Sequence, residues 1–278
     1  MIVLEREGRL LLLSQLDHAT LAGRFAAAWG NDGFQAPAPS ESVVLAASRH
    51  DEGWREWDAE FRFDATRRAP LYFLDVDIRD YVSLYSRGIA RIAELDPYAG
   101  LLASLHGTGN LCGRWGTQPG IRLRAYDEAT WPPLIEAYVL EQEALQARLK
   151  LRILSLRAND RRSDFERRLW SNYELLQAWD RLSLFLCRSD PRRREAAELG
   201  AVPRSIDDSD RVPLVVQAEG GGLATVTPWP FAPDRLEASI PVRRIPDRPY
   251  LSPEDVHAEV RFAPHEELRW TLAKGDRS

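Results

Sequence analysis

The stretch ASRHDEGWREWD, Ala47 to Asp58, sets His50 directly before Asp51 at the expected end of a helix. Only five histidines occur in the chain, and this one stands beside a carboxylate in an apolar setting. The pair either binds a metal or caps a helix, and the surrounding sequence has to choose. Upstream, Ser40 has the position of an N-cap, and Val43, Val44, Ala46, Ala47 and His50 follow at helical spacing. Gly53 should stop this helix. A loop rich in aromatic and acidic residues then runs from Trp54 to Phe73.

Working outward, Ile2 to Leu13 reads as a short hairpin that turns at Glu7-Gly8. Ser14, with Asp17 three residues later, forms an acidic variant of the capping box. The helix it opens reaches Trp29 and carries His18 in its first or second turn. A third helix spans about Asp80 to Glu94. Asp96-Pro97 starts a fourth, which should close at His106-Gly107 with the glycine as cap, followed by a glycine-rich loop to Gly120. Pro132-Pro133 opens a long helix through about Arg152. Ser163 or Asp164 caps another, Phe165 to Cys187, which contains Asp180. From about Pro203 the character changes. RVPLVVQAEGGGLATVTPWPF reads as a hairpin, and ASIPVRRIP, AEVRFAP and LRWTLAK read as short strands. The expected fold is mainly α. An all-α core over residues 1–202 carries the N-terminal hairpin, and a small β-rich extension over 203–278 packs on it.

At 278 residues, 44% hydrophobic and 28% charged, the chain has ordinary globular composition. A net charge of −5 lacks the basic footprint of a nucleic-acid binder. The run Leu10 to Leu13 is too short for a signal-peptide core, and no stretch approaches the ~20 apolar residues of a membrane span. Cys112 and Cys187 lie far apart and form no CxxC, which suits free thiols in a reducing compartment. These features predict a cytoplasmic protein without nucleic-acid or membrane partners. They leave its oligomeric state open.

Asp180 is the odd residue of LLQAWDRLSLFL. Its helical neighbours include Leu176, Trp179, Ser183 and Leu184, where an ionised carboxylate is costly unless a positive charge faces it. A divalent metal would supply that charge. Imidazole with carboxylate suits zinc, manganese, iron or nickel, and carboxylates also accept magnesium. Adjacent helical residues point about 100° apart, so His50 and Asp51 cannot chelate one ion as i,i+4 residues do. They can flank a shared cavity.

The order His18, His50-Asp51, His106, Asp180 resembles the motif of the HD superfamily of helical metal-dependent hydrolases, over about residues 14–188. It departs in Glu52-Gly53-Trp54 after the doublet and in having a single extra histidine. The phrases QLDHATLAGRFAAAWG, AASRHDEGWREWD and DPYAGLLASLHGTG also resemble domain-of-unknown-function family 3891 of bacteria, which implies kinship but no activity. The HD resemblance implies an HD-like helical bundle. It implies one or two divalent ions (Mn, Fe, Zn or Mg) on His18, His50, Asp51, His106 and Asp180, with Asp51 and His106 taking part in the chemistry. Metal-bound hydroxide would attack a small phosphorylated substrate, a phosphomonoester or phosphodiester. Two rival functions use the same residues: a di-iron oxygenase, and a non-catalytic metal- or ligand-binding protein.

Arg49, Arg55 and Arg181 adjoin the proposed ligands and could clamp phosphate, and Trp54 could line the substrate pocket with Trp57. Asp17 and Asp58 are spare carboxylates that could orient an imidazole. Each has a plainer reading: ion-pair arginines, core tryptophans, histidines favoured at helix ends by the dipole. His257 and His265 read as surface residues. Cys112, six residues after His106, is a weak candidate nucleophile.

Overall fold

The computed structural model describes residues 1–112, 132–156, 161–207 and 209–275. Ser14 caps helix α1 (Gln15–Ala28) as its chemistry predicts: its Oγ accepts the Asp17 N–H at 3.0 Å and meets the Asp17 carboxylate at 2.6 Å. Helix α2 (Ser40–Arg49) ends on His50, with Pro39 rather than Ser40 as its N-cap. The expected loop after it is folded. A 3-10 turn (Glu52–Trp54) leads into the short helix α3 (Arg55–Ala59), and β3 (Phe63–Asp64) pairs with β4 (Ala69–Pro70). Helices α4 (Ile78–Leu95), α5 (Pro97–Cys112), α6 (Pro133–Leu156) and α7 (Arg162–Arg188) complete the helical part. Of these, α5 packs on both α2 and α7, and α1 packs on the same two helices.

Helix α5 does not close at His106-Gly107. It runs on to Cys112, so Gly107-Thr108-Gly109 is helical, and the remainder of the expected loop lies outside the described residues. Gly107 is a packing residue: a Cβ there would lie 2.5 Å from the Tyr138 hydroxyl of α6. A helix-interior glycine chosen for close approach looks locally like a C-cap, which explains the misreading.

The mainly α, all-α expectation is overturned by the C-terminal half. Strands β1 (Ile2–Arg6), β2 (Arg9–Leu13), β5 (Arg194–Pro203), β6 (Arg211–Gly220), β7 (Leu223–Thr227), β8 (Arg235–Pro246) and β9 (His265–Lys274) form one seven-stranded sheet in the order β1-β2-β8-β9-β7-β6-β5. Every neighbouring pair is antiparallel except β7 with β9, so the sheet is mixed. This is a second structural layer, not a small element on a helical bundle.

Its inner face shows period-2 burial. Leu214, Val216 and Ala218 of β6, Ile240 and Val242 of β8, and Leu268, Trp270 and Leu272 of β9 enter the same core as the helices. Trp270 Nε1 donates to the Leu186 carbonyl at 3.1 Å and ties β9 to the end of α7.

Two expected strands need correction. Strand β5 begins at Arg194, ahead of the residue 203 where β character was expected, because its REAAEL is poor in β-branched residues. AEVRFAP is not a strand. Its first five residues, Ala258 to Phe262, end helix α8 (Pro253–Phe262), capped by Ser252 Oγ accepting the Asp255 N–H and opened by Pro253. The capping signal Ser252-Pro253-Glu254-Asp255 was there to be read.

Helix α8 covers the outer face of the hairpin. Leu10, Leu12 and Met1 pack with Ile245, Tyr250, Val256 and Val260, while Leu11, Leu13 and Ile2 face the main core. The unbroken run Leu10–Leu13 thus marks a strand buried on both faces. Among the described residues, no helix is long and apolar enough to cross a membrane.

Candidate metal centre

Four helices bring five sequence-predicted residues together. His18 comes from α1, His50 and Asp51 from the end of α2, His106 from α5 and Asp180 from α7. All except Asp180 are buried to 3% exposure or less, and the Asp180 side chain is 13% exposed. The geometric objection to a His-Asp doublet disappears because the helix stops between the two. His50 is still helical (φ −54°, ψ −25°), whereas Asp51 sits in the bridge region (φ −101°, ψ 22°), which turns its carboxylate back toward the His50 ring. A backbone contact fixes that turn. A Cβ on Gly53 would lie 2.0 Å from the Leu84 carbonyl oxygen, and one on Gly88 2.4 Å from the Gly53 nitrogen, so α4 presses directly on the doublet's turn.

Hydrogen-bond direction decides how the imidazoles face. His50 Nδ1 lies 2.8 Å from the Ala47 carbonyl, which can only accept, so Nδ1 donates. Ser183 Oγ donates to the Asp180 carbonyl at 2.8 Å, so it must accept from His18 Nδ1 at 2.7 Å. Both histidines therefore turn Nε2 inward, and the two Nε2 atoms lie 3.2 Å apart. Two carboxylate oxygens join them. Asp51 Oδ2 is 3.2 Å from His18 Nε2 and 3.7 Å from His50 Nε2, and Asp180 Oδ1 is 3.4 and 3.5 Å from the same atoms. Two neutral imidazole lone pairs and two carboxylates converging in a buried space repel each other unless a cation stands among them. A tetrahedral ion with bonds of about 2.1 Å has donor–donor edges of about 3.4 Å. The five distances bracket that value, and His18, His50 and Asp180 lie within ligand distance of one another as a group, which fits three donors to a divalent ion.

Without an ion, a proton fills the place. Burial opposes charge on His50, but Asp51 and Asp180 outweigh it and raise its pKa to about 9. Burial likewise pushes against ionisation of Asp51 and Asp180, and the facing imidazoles, His50 foremost, hold both below the usual carboxylate range.

His106 is different. Gln177 Nε2 lies 2.9 Å from its Nδ1 and Asn110 Nδ2 lies 3.0 Å from its Nε2, so amides flank both ring nitrogens. Its ring meets the His50 ring edge-on at 4.7 Å. Burial, with His50 beside it, lowers its pKa to about 4 and keeps it neutral. His50, Asp51 and His106 form a second group within ligand distance, which shares His50 with the group of His18, His50 and Asp180. Sequence reasoning missed Gln177, Asn110, Ser183 and Tyr85, whose hydroxyl donates to Asp51 Oδ1 at 2.8 Å. The i,i+4 pair His106/Asn110 and the i,i+3 pair Asp180/Ser183 were the available signals.

The structure does not bring Arg49, Arg55 or Trp54 to the cluster; of the expected phosphate residues only Arg181 lies beside it. Arg55 holds Glu52 with two bonds of 2.8 and 2.9 Å, and Arg49 reaches the same carboxylate at 3.9 Å. Trp54 is core, packed edge-on against Trp57, Phe73 and Tyr81. Arg181 bonds the Gln177 carbonyl through Nε at 3.1 Å and feels the pull of Asp180. Asp17 serves the α1 cap. Asp58 receives the Met1 amine at 2.7 Å and the Gln15 N–H at 2.6 Å, so neither carboxylate orients an imidazole. His257 and His265 are exposed, as expected, and both cysteines are buried thiols outside any disulfide.

No curated protein and no solved structure matches the chain. A family model does, over residues 1–247, a span that takes in the whole cluster and the sheet as far as β8. The chain therefore belongs to the family described as "Protein of unknown function (DUF3891)".

Proposed function

We propose that this protein is a metal-dependent hydrolase whose centre is one divalent ion held by His18, His50, Asp51 and Asp180. The observation that carries the reading is the 3.2 Å approach of two Nε2 atoms whose other nitrogens are committed to the Ala47 carbonyl and Ser183. A bound divalent ion would supply a water made acidic enough to give hydroxide near neutral pH. His18, His50 and the two carboxylates orient that site. His106, neutral and held by Asn110 and Gln177, is placed to hold or pass a proton beside it. Phosphoesters are the substrate class that the HD resemblance brings. Of the three arginines named from the sequence, Arg181, next to Asp180, stays the candidate for the phosphate charge, since Arg49 and Arg55 are engaged by Glu52.

One observation favours a redox reading: the buried Tyr85 phenol lies 2.8 Å from Asp51, within reach of an oxidising iron centre. Metal analysis separates the two. Plasma mass spectrometry of untagged protein should give about one equivalent of ion, His50→Ala less than a tenth of that, and phosphoester hydrolysis should follow the metal. Iron with an oxygen-dependent absorption change would select the oxygenase. Folded wild-type protein that takes up no zinc, manganese, magnesium or iron would make the cluster a proton-bridged structural group.

A further inference from the structure

Helix α6 is apolar on two opposite faces. Ile135, Tyr138, Val139, Gln142, Gln146, Leu149 and Ile153 are buried against the body of the protein. On the other side, Leu140, Ala144, Ala147 and Leu151 recur at spacings of four, three and four, and all four are exposed. Leu140 is 60% and Leu151 69% exposed. A surface helix normally turns charge outward along the line opposite its core face. Here that line is a heptad seam, with charges confined to its flanks, as in a helix that packs on another helix.

The flanking charges name the occupant. Acids lie in the first half of α6 (Glu136, Glu141, Glu143) and bases in the second (Arg148, Lys150, Arg152). A two-fold axis between Leu145 and Gln146 sets Ala144 against Ala147 of the partner subunit and Leu140 against Leu151 of the partner subunit. The same operation brings Glu141 to Arg148 of the partner subunit, and its mate reciprocally. On the other flank it brings Glu143 toward Lys150 of the partner subunit, a lysine that in one chain already bridges Glu166 at 2.8 Å. Parallel pairing on the same seam would set Glu143 beside Arg148 of the partner subunit but also Glu136 beside Glu141 of the partner subunit, a like-charge contact that cancels the gain. A helix whose own sequence is charge-complementary to its reverse is suited to a second copy of itself.

We infer that this protein forms a homodimer through an antiparallel α6–α6 pairing centred between Leu145 and Gln146. The seam from Leu140 to Leu151 is about 16 Å long. An interface built on it alone stands at the small end of specific interfaces, so the dimer dissociates on dilution. Its two reciprocal Glu141–Arg148 pairs make it weaken as salt rises.

Sedimentation velocity of the full chain across micromolar concentrations tests this. The expected result is a mass rising to twice that of one chain. Leu151→Glu and Glu141→Arg should each hold the protein as a monomer with unchanged circular dichroism, since both positions are exposed. Glu141→Arg combined with Arg148→Glu should restore the dimer by exchanging the signs of the pair. A monomer at every concentration overturns the inference, whether the seam is then bare or covered by the chain's own residues. So does a dimer indifferent to Leu151→Glu, or one that the exchanged double variant fails to restore.

Discussion

Helix α5 carries two buried polar groups on opposite faces, and they are built differently. Toward α6, Ser104 Oγ donates to Gln142 Oε1 at 2.9 Å, Gln146 Nε2 donates to Ser104 Oγ at 3.1 Å, and Thr108 Oγ1 donates to the Ser104 carbonyl at 3.1 Å. Each of these contacts pairs a donor with an acceptor. Toward α2 and α7, His106 borders a group in which two imidazole lone pairs and two carboxylates point at one another. Burial and polarity are the same in both. The difference is in the hydrogen count: the first group is complete in itself, and the second becomes so only with an added proton, as on His50, or with an ion in its place. A self-satisfied network specifies packing, whereas a convergent, proton-poor one leaves room for an ion.

Removing a donor from the convergent group should have the largest effect. Asp180→Asn should lower ion affinity at least tenfold, while Gln146→Leu on the opposite face should leave it unchanged, as measured by metal titration of the ion-free protein. Equal losses from both variants would erase the distinction between the two groups. Next is the turn that aims the doublet. Gly53→Ala forces a methyl into the Leu84 carbonyl and should cost about 3 kcal/mol of stability, with ion affinity falling too because Asp51 is displaced. Urea unfolding with and without metal reads both quantities.

The pH dependence of the ion-free protein gives a third, smaller effect, and its sign follows from the two histidines. His106, lowered to about 4, is protonated more readily when unfolded, so stability falls as pH drops from about 6.5 toward 4. His50, raised to about 9, holds its proton better when folded, so its contribution is complete below about 6.5 and is lost as pH rises toward 9. Stability of the ion-free protein should therefore peak near pH 6.5, with flanks no steeper than about 1.4 kcal/mol per pH unit for each histidine. Thermal melts from pH 4.5 to 9 check this, and added metal should flatten the alkaline side. The smallest effect belongs to the self-satisfied network. Ser104→Ala leaves Gln142 Oε1 without its donor and should cost about 1 kcal/mol in urea unfolding, with no change in ion affinity.

Much of the site was legible because it depends on local chemistry. Ser14 with Asp17 announces a helix start and so sets the height of His18. His50 before Asp51-Glu52-Gly53 announces a helix end. Asp180 is conspicuous among Leu176, Trp179 and Leu184 because ionisation there needs a partner. The substrate residues were misjudged for a related reason. Arg49 and Arg55 are near Asp51 in sequence, but Glu52 stands closer to both and takes their charge.

The remaining errors concern interactions between segments distant in the chain. REAAEL of β5 becomes a strand because β6 lies alongside it, and β7 pairs in parallel with β9 only after the chain has passed through β8 and α8. Gly107 is helical because Tyr138 needs its space, not because the helix ends there. By itself, the sequence determined where helices α1, α5 and α6 begin, though not α7, which starts from Arg161 and not from Ser163 or Asp164; it also determined which polar residues are too costly to bury alone, and the family to which the chain belongs. Only the tertiary structure decided that seven strands make one mixed sheet and that both Nε2 atoms face inward. Strand pairing and lone-pair direction depend on partners far away in the chain, and no local propensity encodes which partner arrives.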